Sequence, residues 1–281
     1  MPALSDIKDP IKAIIAADSG TGKTGALWSL AAAGFKLKIF DSDKGTPILH
    51  SIMKKAAPGA IKNIEVNSFT NVMTLDPTSG FMKPKGTPKA WTGMLNALNK
   101  WPDSPDKGIQ DWGPDTVAVF DSLTLFGRHA LISAQHLEGK GRWKPELQHY
   151  GTAMAQIEAL FAANYGDNVT CHILYLTHIK AEYAKPESAN DDPEFLGAYP
   201  SSLGKSLNGV IPRYVNDILT IKMNGSGPTA KRLLSTKPTQ NRMATKTRDL
   251  LPKHEYLLAD GAEPKPGLAE FFADCGWSGP K

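Results

Sequence analysis

Short apolar runs recur along the chain and alternate with segments whose apolar positions return every three or four residues. Residues 11–18 (IKAIIAAD) form the first run. A glycine-rich loop follows, then a helical pattern over 23–33 that ends at Gly34, a residue suited to the left-handed turn closing a helix. Residues 37–43 (LKIFDSD) predict a second strand, and 64–69 (IEVNSF) a short third one after another helix. Trp91, Met94, Leu95, Leu98 and Trp101 share one helical face, so 87–101 predicts an amphipathic helix. Residues 116–122 (TVAVFDS) predict a buried strand ending in an acid. Leu147, Tyr150, Met154, Ile157 and Phe161 mark a further helix, and 171–179 (CHILYLTHI) another buried strand.

Strands this uniformly apolar, separated by amphipathic helices, imply a mostly parallel central sheet covered on both faces, an α/β fold. The pattern changes after Ile179. Residues 180–213 are polar, contain Pro186, Pro193 and Pro200, and predict no regular structure. Residues 214–223 and 232–238 then read as two strands paired across a Gly-Ser-Gly-Pro turn, an antiparallel extension of the sheet. The expected organisation is a core over 1–255 and a Pro- and Gly-rich tail over 256–281 with a short helix near 268–272. No internal repeat is visible.

Composition narrows the class. A chain of 281 residues with 41% hydrophobic and 21% charged residues is globular, which excludes a disordered or collagen-like chain. The net charge of +4 permits anionic partners without requiring them. Two cysteines, Cys171 and Cys275, with no paired spacing argue against a disulfide framework or a zinc site, and fit a reducing cytoplasm. No apolar run approaches the roughly 18 residues of a membrane span, and the N-terminus MPALSDIKDP lacks the charged and apolar regions of a signal peptide. A cytoplasmic protein without a membrane partner is expected.

The segment AADSGTGKTGAL, residues 16–27, carries the chemistry. It departs from the phosphate-loop pattern G-x-x-x-x-G-K-[ST] only at its first position, which is Ala17. Backbone amides at such a strand-to-helix loop form an anion nest. Ser19, Gly20, Thr21, Gly22, Lys23, Thr24 and Gly25 are the expected nucleotide-binding residues, with Lys23 reaching the terminal phosphates and Thr24 ligating Mg2+. Ala17 sits at the strand end, where one methyl is tolerated if φ is negative. Asp121, after four apolar residues, is the expected second metal residue; an Asp-Ser pair also suits a helix N-cap. Asp41 and Asp43 end one strand, where an acid could polarise water, and His178 and Lys180 follow another. Asp43 equally suits a helix cap, and His178 a satisfied loop histidine.

In order, the glycine loop, FDSD, VFDS and LTHIK resemble the core of RecA-like P-loop ATPases. That resemblance implies ATP and Mg2+ as cofactors and gives Asp43 the place of the family's catalytic glutamate, one methylene shorter. It gives His178 the place of a γ-phosphate sensor. It also matches ATKTRDLLP to a K-x-R segment that reaches the neighbouring subunit's nucleotide, so Lys246 and Arg248 become fingers acting in a homo-oligomer. A solvated basic strand is the plainer account, since residues 222–248 carry seven Lys or Arg and no acid. The compact chain, and LGKSLNGVIPRYVNDIL before the strand pair, are similar to phage nucleotide-binding proteins of the Sak type, which act in single-strand annealing and recombination.

Two segments could meet single-stranded DNA. EGKGRWKPE places Lys140, Arg142 and Lys144 around Trp143, cations for phosphates and a ring for bases. The second, 180–213, offers Lys205 and Arg213 but also five acids. Both also suit flexible surface loops, with Trp143 packed on the core. The resemblance thus implies an ATPase stimulated by DNA, acting in the host cytoplasm if phage-encoded, with a single-strand binding protein as a further partner. A DNA motor or loader and a small-molecule kinase are the alternatives.

Overall fold

The computed structural model describes residues 8–139, 143–184, 194–204, 206–237, 246–247 and 251–280. Its strands, in chain order, are β1 (Lys12–Ala16), β2 (Lys36–Asp41), β3 (Ile64–Ser68), β4 (Met73–Leu75), β5 (Met82–Pro84), β6 (Thr116–Asp121) and β7 (His172–Thr177). They continue as β8 (Ile179–Tyr183), β9 (Phe195–Pro200), β10 (Asp217–Asn224), β11 (Lys231–Ser235), β12 (Glu255–Asp260) and β13 (Glu263–Pro264). The helices are α1 (Lys23–Ala26), α2 (Trp28–Ala32), α3 (Thr46–Ala56), α4 (Ala90–Asn99), α5 (Leu123–Leu137), α6 (Leu147–Tyr165), α7 (Leu207–Val210) and α8 (Gly267–Asp274).

Nine strands form one sheet in the order β13-β12-β11-β10-β1-β7-β6-β2-β3. From β10 to β3 all neighbours run parallel, and β11, β12 and β13 continue the other edge antiparallel. The fold is therefore α/β, a mostly parallel sheet with an antiparallel extension. Both faces of the central strands are buried because successive side chains point to opposite sides. Ile14, Ala118 and Phe120 join one core cluster, while Ala13, Ile15, Val117 and Val119 join the other.

The first core is aromatic. Phe40, Phe120 and Tyr175 stack across adjacent strands with centroids 4.7 and 4.9 Å apart, and Phe161 of α6 closes the row 4.2 Å from Tyr175. Each such buried ring contributes roughly 1.5–3 kcal/mol, enough to lock β2, β6 and β7 in register. The second core receives Leu268, Phe271 and Phe272 of α8 and Tyr256 and Leu258 of β12, all buried.

Three segments differ from the sequence expectation. β8 and β9 pair as a hairpin inside 180–213, where no regular structure was expected. Phe195–Tyr183 and Pro200–Ile179 register supplies backbone partners that the local sequence, rich in Pro and Gly, does not advertise. The hairpin β4–β5 and the long helix α5 also carry no strong periodic signal, because α5 is buried on much of its circumference. Among the described residues no helix is long and apolar enough to cross a membrane.

Candidate functional site

The glycine loop leaves the carboxyl end of β1, the strand flanked by β7 and β10. Ala17 is fully buried, its N–H donates to Thr177 O at 3.1 Å, and among the described residues only Lys44 is a non-glycine with positive φ. The methyl at the first loop position is thus accommodated without backbone strain. Gly20 and Gly22 have φ of 77° and 95°, a conformation that side chains resist. Thr21 Oγ1 donates to Asp18 O at 2.8 Å and closes the turn. Lys23 is buried and donates to Ala17 O and Asp18 O, both at 2.9 Å, so its amine lies folded along the inside of the loop. Burial lowers its pKa, opposed by the charges of Asp121, Asp43 and Asp18.

Thr24 Oγ1 donates to Asp121 Oδ2 at 2.6 Å. Asp121 is 1% exposed. Burial pushes its carboxyl up to about 6, the nearby Asp43 and Asp41 charges add to the rise, and the Thr24 hydroxyl and Lys23 oppose it. A hydroxyl and a carboxylate side by side form an oxygen donor set of the kind Mg2+ takes. The backbone of Gly45 crosses over this pair: a Cβ there would lie 3.0 Å from Thr24 Oγ1 and 3.5 Å from Asp121 Oδ2. Any side chain at 45 would fill the space in front of both oxygens.

Asp41 and Asp43 have separate tasks. Asp41 Oδ1 accepts the N–H groups of Asp43 and Lys44 at 3.1 and 2.8 Å, and Oδ2 accepts from Thr46 at 3.3 Å and Ser68 at 3.4 Å. It therefore organises the turn after β2, including Lys44 at φ 56°. Asp43 is left free to face the cleft, where its Oδ2 lies 3.7 Å from His178 Nε2. That separation suits an ion pair when the ring is charged and is longer than a hydrogen bond. His178 is set by its own N–H, which donates to Thr124 Oγ1 at 3.1 Å, and by its carbonyl, which accepts from Ser201 N at 2.6 Å.

Ser19, Gly20, Gly22, Lys23, Thr24, Gly25, Asp43 and His178 line one cleft, with Asp121 directly behind Thr24. Lys246 does not line it. Its amine donates to Val215 O at 2.9 Å and Pro212 O at 3.3 Å, while its carbonyl accepts from Ile218 N at 2.6 Å. Arg248 lies outside the described residues, as do Lys140, Arg142 and Lys205. Trp143 is half-buried and its carbonyl accepts from Gln135 at 3.0 Å; Lys144 and Arg213 are exposed on separate segments.

Three further residues shape the site. Ser42 Oγ accepts from Ser122 N at 3.1 Å and so ties the ends of β2 and β6 together. Gly45 clears the metal-facing space, and the D-x-D-x-G spacing after an apolar strand could have suggested it. Arg232 of β11 reaches the cleft from the antiparallel edge, 209 residues beyond Lys23 in the chain and invisible to any local pattern.

Fold and loop together define an α/β protein whose parallel sheet carries a phosphate-loop sequence at its central strand. No family model and no curated protein matches the chain. Solved structures similar to it include the flagellar accessory protein FlaH from Methanocaldococcus jannaschii, at 12% identity and TM-score 0.46, covering 93% of this chain and 89% of that one. The RadB recombinase is similar at 10% identity and TM-score 0.42, covering 89% and 87%. A KaiC-like protein from the hyperthermophilic archaeon Pyrococcus horikoshii is similar at 10% identity and TM-score 0.40, covering 90% and 87%.

Proposed function

We propose that this protein is an ATP- and Mg2+-dependent RecA-like ATPase that assembles with itself and binds single-stranded DNA, in phage-type recombination or annealing. The observation that carries the nucleotide part is the 2.6 Å contact between Thr24 and Asp121 beside a glycine loop with two left-handed glycines. Thr24 and Asp121 would hold Mg2+, directly or through its water. The metal, when bound, supplies charge neutralisation at the transferring phosphate. The residues do the remainder. Loop amides and Lys23, released from Ala17 O and Asp18 O, bind the phosphates. In this reading Asp43 accepts a proton from an attacking water, and His178, just after β7, senses or stabilises the terminal phosphate.

Assembly and DNA binding rest on the sequence resemblance, on the K-x-R segment and on the cations around Trp143. Lys246 contributes as a finger only if its amine leaves Val215 O and Pro212 O, so in this reading assembly repositions it. The test is phosphate release, measured with and without single-stranded DNA, together with sedimentation with and without a non-hydrolysable ATP analogue. DNA-stimulated release and an ATP-dependent increase in mass are expected. Release unaffected by DNA, with no DNA retained at low salt, removes the DNA part; phosphate transferred to an acceptor other than water removes the ATPase.

A further inference from the structure

The antiparallel edge sends one cation into the nucleotide cleft. Arg232 sits on β11 with its backbone opposite Met223 of β10 and Ala259 of β12, and the register shifts immediately after it, between Arg232 and Leu233. Its side chain runs across the glycine loop. A Cβ on Gly22 would lie 3.3 Å from Arg232 Cδ and 3.7 Å from Nε. Arg232 Nε is buried and has no hydrogen-bond partner among the described residues.

Neighbouring cations are spoken for. Lys222 lies 3.7 Å from Glu255, Lys231 lies 3.4 Å from Asp260, and Lys23 is held by loop carbonyls. Arg232 forms no ion pair with a described residue. A buried guanidinium nitrogen without an acceptor is costly, and it persists here on a strand paired on both sides, aimed at an anion-binding loop. A planar, permanently charged fork matches phosphate oxygens better than any other side chain.

We infer that Arg232 is a same-chain nucleotide-binding residue, its guanidinium completing its hydrogen bonds on the diphosphate that ATP and ADP share. This deepens the nucleotide reading and rests on it. It gives one chain a second phosphate cation beside Lys23 without help from a neighbouring subunit. Position 22 needs glycine for its φ of 95°, and a Cβ there would also press on the arginine stem.

Isothermal titration of ATP, ADP and adenosine into the wild type, Arg232→Ala and Arg232→Lys tests it, with thermal unfolding of each variant alongside. Arg232→Ala should weaken ATP and ADP alike by about tenfold, the scale of one charge-assisted phosphate contact. Adenosine should bind unchanged, Arg232→Lys should recover part of the loss, and folding should be intact. A wild type that binds no nucleotide overturns the nucleotide reading itself. Wild-type binding with Arg232→Ala equal to it, or with adenosine weakened as much as ADP, overturns the arginine assignment alone; so does a loss confined to ATP.

Discussion

The parallel side of the sheet delivers acids and hydroxyls to the cleft: Asp121 from β6, Asp43 after β2, Thr24 after β1. The antiparallel side delivers Arg232 from β11 and an apolar wall from Leu258, Ala259 and Pro264 of β12 and β13. The first set crowds like charges around the buried Asp121, so its carboxyl resists ionisation. The second set holds a cation whose buried Nε has no hydrogen-bond partner among the described residues. Each side is incomplete alone. A divalent cation would relieve the acids and a phosphate the arginine, and the proposed Mg-nucleotide would bring both.

Removing the buried acid should have the largest effect. Asp121→Asn should lower hydrolysis by about 10²–10³-fold, the usual cost of losing one preorganised charge contact. It should also stabilise the protein. The folded carboxyl has its pKa raised to about 6 against an ordinary 3.8. Stability from this group is therefore highest at low pH and is lost as pH rises through that window. At pH 7.5 the buried charge costs about 3 kcal/mol, and the amide removes that cost. Urea unfolding at pH 7.5 checks the gain; a variant less stable than wild type would show that the acid is already compensated.

Asp43 separates turn from chemistry. Asp43→Ala should cost about 10²-fold in hydrolysis with ATP affinity nearly unchanged, the scale of a lost general base. The turn should survive, because Asp41 and not Asp43 receives its N–H groups. Equal turnover in Asp43→Ala would leave Asp43 as surface charge, and Asp43→Glu, restoring the reach of the resembled family, should keep or raise the rate.

The smallest effect lies in the parallel side's core. His129 of α5 is buried with its Nε2 unpartnered, and burial, with the charge of Arg128, lowers its pKa from 6.5 to about 4. Between those values the unfolded chain binds a proton that the folded chain refuses, so stability falls as pH drops. From pH 7.5 to 5 the loss should be about 2 kcal/mol. In urea melts the stability difference between wild type and His129→Gln should change by that amount between the two pH values, the opposite slope of Asp121 being common to both proteins. Acid sensitivity in the core and alkaline cost at Asp121 then mark two independent titrations of one half of the molecule.

Much of this was legible in the sequence because the signals are local. An apolar run, two glycines, a lysine and a threonine need only neighbouring residues to define a strand, a loop and a helix start. Asp121 and His178 could be placed at strand ends for the same reason. Local pattern did not separate Asp41 from Asp43, two residues apart and chemically alike, and only the resemblance favoured Asp43; the fold sends backbone amides to Asp41 and turns Asp43 to the cleft. Nor could local pattern find the β8–β9 hairpin, whose partners supply one another's hydrogen bonds across a gap in the pattern.

Local sequence suffices for the α/β class, the parallel core and the phosphate loop, since these follow from periodicities and contacts within a few residues. Tertiary structure decided which buried side chains of 256–281 complete the second core, which acid faces the cleft, and that Arg232 lies on Gly22. Those facts depend on sheet order, which brings β11 and the loop after β1 together across more than two hundred residues, and no local preference encodes such a meeting.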